Sequence, residues 1–178
     1  MISCLSESAR RLLLLVLLAF LCVSGCGGYR YASDYNNLPE EVESISIPFF
    51  KNETFESNIE AAFTNALVNE FIKNKRFEII PNGADATMVG VVREFRIASI
   101  AYSREDKARQ YRAFVSLELT LTDNTTGAVI WRNPRLVHDE EYDVTPNIAF
   151  TDANKDDAIQ RIAVELAEQI YEEVVLGF

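Results

Sequence analysis

The sequence predicts an α/β fold of the α+β type: a two-layer sandwich in which two helices cover one face of a mixed sheet of about four strands, in the order β-α-β-β-β-β-α. Residues 58–74 and 155–175 each carry an apolar stripe at helical spacing. Residues 111–122 alternate between apolar and polar side chains, which is typical of a strand with one buried and one solvated face. Packing both helices on that one apolar face would bury all three stripes.

The first half of the domain predicts a strand, a helix and a second strand. Residues 42–50 alternate as a strand, but Pro48 has no N–H to donate, so a strand end or a sheet edge is expected there. Ser57 and Glu60 have the spacing of a capping box, which favours a helix over 58–74. A short strand over 77–80 then favours parallel pairing with the first strand through a right-handed crossover.

The second half predicts mainly antiparallel sheet. Residues 87–102 form a strand in which apolar residues alternate, namely Val89, Val91, Phe95 and Ile97. After the strand over 111–122, residues 123–127 predict a hairpin loop that ends in glycine. A further strand begins at 128–132, is interrupted by Pro134 and resumes over 137–144.

The last helix is predicted over 155–175, after a polar loop at 145–153. Asn154 is a suitable N-cap, and Asp156 and Asp157 occupy the first turn, where acidic side chains favour the helix dipole.

The N-terminal stretch predicts a lipoprotein signal peptide over residues 1–25. Arg10 and Arg11 precede an apolar run over 12–23, which is shorter than the roughly 20 residues of a membrane-spanning helix. Cys26 follows a small Ser-Gly pair, so we expect it to carry diacylglycerol and N-acyl lipid; an ordinary secretory signal with a chance cysteine is the alternative. Residues 26–41 would form a lipidated tether and 42–178 a single domain. Gly27, rather than aspartate, favours sorting to the outer membrane.

Composition excludes several classes of site and partner. Cys4 and Cys22 fall in the signal and Cys26 is used by lipid, so the mature domain has no thiol for a disulfide, a zinc cluster or a nucleophile. Loss of two arginines and one glutamate with the signal changes the net charge from −10 to −11. That charge argues against non-specific binding of nucleic acid.

No catalytic constellation is evident, and we predict a protein that is not an enzyme and has no cofactor besides the lipid. The acidic run 138–143 contains the one histidine, His138. It could be imagined as a metal site, but a solvated acidic strand edge is favoured because no second histidine exists. Trp131 is expected to pack in the core or at an edge rather than form a contact patch.

Charge is unevenly distributed along the chain. Residues 93–135 hold eight basic against five acidic side chains, whereas 139–178 hold eleven acidic against two basic. Arg104, Lys107 and Arg109 lie in the turn expected between the two long strands. They could bind an anionic ligand such as a phosphorylated lipid. Since Glu105 and Asp106 lie among them, a mixed solvated loop is the alternative.

Seven segments together resemble the lipopolysaccharide-assembly lipoproteins, the LptE family, through their order and spacing. They are Cys26-Gly27-Gly28-Tyr29, Leu38-Pro39, Ile45-Ser46-Ile47-Pro48-Phe49, Lys51-Asn52-Glu53-Thr54, the stretch 59–71, Ala84-Asp85-Ala86 and residues 127–132. The resemblance implies a two-layer sandwich and a non-enzymatic outer-membrane lipoprotein. Members occupy the lumen of the large β-barrel LptD, assist its assembly and help deliver lipopolysaccharide to the outer leaflet.

The resemblance also implies contact with lipopolysaccharide through basic residues near loops at one end of the sheet. No motif aligns those residues one by one, so the assignment of Arg104, Lys107 and Arg109 rests on charge. A lipoprotein that regulates a cell-wall enzyme or forms part of a secretion complex is the other hypothesis, because small α/β domains on lipid tethers serve those roles too.

Overall fold

The computed structural model describes residues 42–102 and 108–176. Its elements are β1 (Ser44–Ser46), β2 (Lys51–Asn52), α1 (Ile59–Asn74), β3 (Glu78–Ile79), β4 (Ala86–Tyr102), β5 (Ala108–Asp123), β6 (Val129–Asp143) and α2 (Ile148–Leu176). The predicted signal and tether, with Cys26, lie outside the described residues, as do Arg104 and Lys107.

The strands form one mixed sheet in the order β3-β1-β4-β5-β6, with β2 also paired to β4. β1 is parallel to both β3 and β4, while β4, β5 and β6 are antiparallel to one another. The predicted parallel pairing of the first two strands is confirmed, as is the α+β sandwich. The sheet has six strands rather than about four.

Pro48 divides the predicted first strand into β1 and β2. Ile45 pairs with Ala86, and Lys51 pairs with Val91. Between these two pairs, the segment that contains Pro48 has one more residue than β4 has. The N–H of Phe50 leaves the sheet and donates to the Thr64 hydroxyl at 3.0 Å. The expectation that the strand ends at Pro48 is therefore confirmed.

The core lies between the sheet and a layer of two helices. α1 begins one residue after the predicted start, and Phe63, Leu67 and Phe71 are buried on it. The Phe71 ring meets Tyr171 of α2 edge to face at 5.2 Å between centroids. The sheet contributes one row of apolar side chains from β5 and several from β4 to the core. Apolar side chains of both helices belong to the same buried cluster. The helices thus share one face of the sheet, as predicted.

The strand over 87–102 is confirmed, but its apolar residues do not share a face. Val89 is 49 % exposed, whereas Met88 and Val92 are fully buried. A register shift between Val92 and Glu94 is a β-bulge, and beyond it Phe95 packs toward the helices. One extra residue in the strand therefore exchanges the two faces midway.

The predicted start of α2 is wrong by seven residues. Asn147 rather than Asn154 caps the helix, because its Oδ1 accepts the N–H of Ala149 at 3.0 Å. Asn154 lies within the helix, and its side chain donates to the carbonyl of Asp143 at 2.8 Å.

β6 runs continuously through Pro134 rather than stopping and resuming. Leu117 pairs with Leu136 and Leu119 with Asn133, which leaves Pro134 in a bulge. β6 is the last strand of the sheet, and an edge strand tolerates a missing N–H.

Candidate interaction surface

The two ends of the sheet differ in what they carry. Val42 leads into β1, which lies beside Ala86 at the beginning of β4; we call this the proximal end. The distal end is where β4 ends at Tyr102 and β5 begins. With 17 residues and about 3.3 Å per residue, β4 places the two ends roughly 55 Å apart.

The distal half of the sheet extends beyond the shorter strands. β1 and β2 pair with β4 only as far as Val92. Beyond that point three antiparallel segments continue, which we call the distal arm: Glu94–Tyr102, residues 108–116 and residues 137–143. The arm carries the expected ligand-binding end of the molecule.

Arg109 is exposed at the beginning of β5, and its carbonyl accepts the N–H of Val144 at 2.8 Å. It borders an open depression of about 520 Å³ that also includes Gln110 and Asp143. Arg104 and Lys107 belong to the segment outside the described residues, so the predicted basic cluster stays a prediction.

Carboxylates surround the neighbouring cleft. A space of about 270 Å³ between β6 and α2 is lined by Glu141, Asp143, Asp157 and Arg161, together with amide side chains. Arg161 is itself paired with Glu140 at 2.6 Å. The carboxylates make this cleft unfavourable for a phosphate group.

On the sheet face opposite the helices, which we call the outer face, charges are paired across strands. Glu118 of β5 accepts hydrogen bonds from Arg93 at 2.6 Å and from Arg132 at 2.8 Å. Arg93 also pairs with Glu53. These arginines, Arg93 first, hold the pKa of Glu118 below its usual value. These ion pairs leave little net charge on this part of the outer face.

The outer face of the arm also carries cross-strand ion pairs. Arg112 pairs with Glu141 and lies 3.3 Å from the Asp139 carboxylate. The Arg96 guanidinium lies over the Phe114 ring, 3.9 Å from its centroid. α2 is more acidic than this face, with seven acidic side chains against two basic ones.

Strand alternation divides the acidic run 138–143 between two faces. His138 and Glu140 point toward α2, where His138 Nε2 lies 2.6 Å from Glu165 Oε2. Asp139 and Glu141 point to the outer face beside Arg112. In the part of the chain that is described, no three potential ligands among His, Cys, Asp and Glu converge as a metal site.

Two residues whose roles sequence reasoning missed are Asn52 and Asp85. Asn52 donates to the Glu56 carbonyl at 2.8 Å and accepts the N–H of Thr54 at 2.8 Å, which fixes the loop before α1. Asp85 accepts hydrogen bonds from the hydroxyl and N–H of Ser44 at 2.7 and 2.8 Å. Their position beside strand ends was the available signal, because short polar side chains there commonly bond to backbone. Trp131 is partly buried against the core, as expected.

Large apolar side chains are exposed in the loop before α1 and in the first turn of α2. Phe55 is fully exposed, and Ile148 and Phe150 in the first turn of α2 are 78 % and 64 % exposed. Lys155 Nζ lies 2.6 Å from the Glu56 carboxylate and ties that turn to the loop of Phe55. Burial is the largest single influence and lowers the pKa of Lys155, but the hydrogen bond to Glu56 and the charges of Glu56, Asp156 and Asp152 together outweigh it, so the pKa is raised. Neither described helix is both long and apolar enough to cross a membrane.

Solved structures share the fold at low sequence identity. A protein of Caulobacter crescentus CB15 is 18 % identical with a TM-score of 0.51, and the alignment covers 70 % of this chain and 86 % of that one. Rare lipoprotein B of Shewanella oneidensis is 8 % identical, with a TM-score of 0.50 and coverage of 72 % and 92 %. A minor lipoprotein of Acinetobacter baumannii is 12 % identical, with a TM-score of 0.50 and coverage of 76 % and 92 %.

A sequence comparison with curated proteins gives no significant match. The profile of the lipopolysaccharide-assembly (LptE) family, in contrast, matches residues 42–174. That match spans nearly all of the described domain, from two residues before β1 to the last turn of α2. The chain therefore belongs to the lipopolysaccharide-assembly (LptE) family.

Proposed function

We propose that this chain is a lipid-anchored lipoprotein of the outer membrane that partners a β-barrel protein, LptD-like, and occupies its lumen. In that place it assists assembly of the barrel and insertion of lipopolysaccharide into the outer leaflet. Membership of a non-enzymatic lipopolysaccharide-assembly family carries the proposal. Partnership with a barrel is more specific than family membership, and the lipid anchor and the distal arm support it.

The anchor begins at Cys26, after removal of the signal peptide over 1–25. Diacylglycerol and an N-acyl chain on this cysteine hold the protein stably, since each buried methylene contributes ~0.8 kcal/mol and two or more chains suffice. Residues 27–41 then span at most about 50 Å at roughly 3.3–3.6 Å per residue. The domain over 42–178 consequently stays close to the membrane that holds the lipid.

The distal arm has the length that a barrel lumen requires. Glu94–Tyr102 spans roughly 30 Å at about 3.3 Å per residue. The apolar band of an outer-membrane barrel is about 25 Å tall. Because the tether joins the proximal end, the arm extends away from the point of attachment. It is long enough to cross the lumen of a barrel in the same membrane.

For the ligand, we assign Arg104, Lys107 and Arg109 to the phosphate groups of lipopolysaccharide. Charge-assisted hydrogen bonds from such side chains to phosphate are among the stronger polar contacts. Arg109 is exposed at the distal end, and the carboxylates that line the cleft beside α2 would keep a phosphate on the hairpin side.

The barrel partnership is tested by affinity purification of the full chain with a tag after Phe178, from membranes extracted in mild detergent. We expect one large barrel protein to co-purify in about equal amount, and mass spectrometry to find a lipidated N-terminal Cys26. Cys26→Ala is the matched control, since it removes the anchor and leaves the folded domain. Recovery of the lipidated chain without a barrel would contradict the proposal.

The ligand assignment is tested separately by charge reversal. Changing Arg104, Lys107 and Arg109 to Glu should weaken binding of purified lipopolysaccharide at least tenfold. Reversal of Lys73, Lys75 and Arg76, at the end of α1, makes the same change in net charge at another place. Equal losses in both variants would show an effect of net charge alone, and the hairpin would then not be the site.

A further inference from the structure

The two long edges of the distal arm differ in how their backbone groups are covered. The N–H of Val144 donates to the carbonyl of Arg109. In the arm, the backbone N–H and C=O groups of even-numbered β6 residues therefore point toward β5, and those of odd-numbered residues point away from it. Two of those outward carbonyls receive side chains from α2: Asn154 donates to Asp143 at 2.8 Å, and Arg161 donates to Glu141 at 3.4 Å. The exposed acidic side chains of Asp139, Glu141 and Asp143 further protect this edge.

The opposite edge, on β4, carries the charged pair Glu94 and Arg96, but among the described residues no side chain bonds to the backbone groups of Phe95, Ile97 or Ser99. The last backbone bond from the neighbouring strand region is from the N–H of Glu53 to the carbonyl of Val92, at 3.0 Å. By the same alternation, the N–H and C=O groups of Phe95, Ile97 and Ser99 face away from β5. Among the residues that the structure describes, none of these groups has a backbone partner on that side. Such an edge is a template for another strand.

The side chains beside this edge indicate what kind of strand fits. Phe95 and Ile97 lie on the face toward the helices; Phe95 is partly buried, and Ile97 is 42 % exposed. On the outer face, Arg96 is paired with Glu94 at 3.3 Å, so this row has no net charge. An added strand would cover the apolar row with alternate apolar side chains and would place polar ones on the outer face.

We propose that the edge Phe95–Ser99 binds an extended amphipathic segment of the barrel partner, which joins the sheet as an additional strand. This inference rests on the proposed function and adds the place of contact. A second copy of the chain is a poor occupant. The open edge offers nine residues, Glu94–Tyr102, whereas a stable interface takes about 20–30 residues on each side.

Site-specific photo-cross-linking in the full chain tests the contact. A benzophenone amino acid is placed at Ile97 on the open edge and, as the matched control, at Val137 on the protected edge. Both positions are exposed, at 42 % and 49 %, and both have outward-facing backbone groups. We expect at least tenfold more adduct with the barrel from position 97, mapped to a segment that alternates apolar and polar residues.

A pair of proline variants tests the hydrogen bonds themselves. Ile97→Pro removes an outward N–H and leaves the bonds between β4 and β5, and Val137→Pro makes the same change on the other edge. We expect Ile97→Pro to reduce co-purification of the barrel at least tenfold and Val137→Pro to leave it unchanged. If Ile97→Pro does not fold, the cross-link comparison decides alone.

Two further outcomes separate this inference from the proposed function. Cross-links from position 97 to a second copy, or equal yields at 97 and 137 while the barrel co-purifies, overturn the docking site and leave the barrel partnership intact. Failure of any barrel to co-purify with the unaltered chain overturns the proposed function, and the docking site with it.

Discussion

At the scale of single residues, Gly90 of β4 lies in close contact with the ring of Phe50. A Cβ at position 90 would lie 2.5 Å from Phe50 Cε1 and Cζ, which is far inside van der Waals contact. Phe50 is 4 % exposed and cannot move into solvent without leaving the core. Glycine is therefore required here by close approach and not by backbone conformation.

Gly90→Ala should lower the free energy of unfolding by about 1–3 kcal/mol, the usual cost of overpacking a core. Urea denaturation measures the change. Phe50→Leu is the partner substitution, because a smaller side chain makes room for the new methyl group. The double variant should then be less destabilised than the sum of the two single variants; simple additivity would contradict the proposed clash.

Asp85 shows how one carboxylate fixes the beginning of β1. Bonds from the hydroxyl and N–H of Ser44 and from the N–H of Glu43 hold the pKa of Asp85 below its ordinary value. The folded state then binds fewer protons than the unfolded state at acidic pH. This contribution to stability is complete above the ordinary carboxyl pKa and is lost as pH falls through the lowered pKa of the folded state.

Asp85→Asn should consequently lower the urea midpoint at pH 7, and its difference from the unaltered protein should shrink as pH is lowered from about 5 toward 2. Asp157→Asn is the control, because among the described residues no side-chain or backbone group donates to that carboxylate. A difference for Asp85→Asn that stayed constant over this pH range would exclude a charge-dependent role.

At the scale of elements, the beginning of α2 depends on Asn147. Its Oδ1 accepts the N–H of Ala149, and its carbonyl accepts the N–H of Thr151 at 3.1 Å. Asn147→Ala should destabilise the protein by about 0.5–2 kcal/mol, as loss of an N-cap does. Faster amide hydrogen exchange confined to residues 149–153 would locate the effect. If Asn154→Ala produced the same pattern, the cap would be assigned to the wrong residue.

Sequence patterns predicted the elements that depend on regular periodicity. The alternation over 111–122 defined β5, and the stripe that includes Phe63 and Phe71 defined α1, because burial of one face selects the pattern. They failed where a single residue breaks the period. The bulge after Val92 exchanged the faces of β4, and the cap at Asn147 added seven residues to α2.

The interaction surface was less predictable than the fold. Charge along the sequence predicted a basic cluster that includes Arg109, and the structure shows Arg109 exposed at the beginning of β5; its binding of an anionic ligand stays a prediction. Of the carboxylates that line the neighbouring cleft, Glu141 and Asp143 belong to β6 and Asp157 to α2, and tertiary packing brings Asp157 to this end. The open edge at Ile97 could not be inferred from the sequence, because it depends on where β2 stops pairing.

At the scale of the whole molecule, the proposed point of attachment and the proposed contact surface lie at opposite ends of the sheet. The chain leads into the sheet at the proximal end, beside Ala86, and the distal arm lies at the other end of β4. The carboxylates of α2 are on the helix layer, while the outer face of the sheet pairs its charges internally. A neutral face and an extended arm suit contact with a protein wall better than contact with an anionic membrane surface.

Native mass spectrometry of the complex extracted from outer membranes tests the proposed barrel partnership. We expect a species whose mass equals one lipidated chain beginning at Cys26 plus one β-barrel protein. Collisional dissociation should release the intact lipidated chain from the barrel. A lipidated chain that is found only alone, or only with further copies of itself, would rule out the partnership.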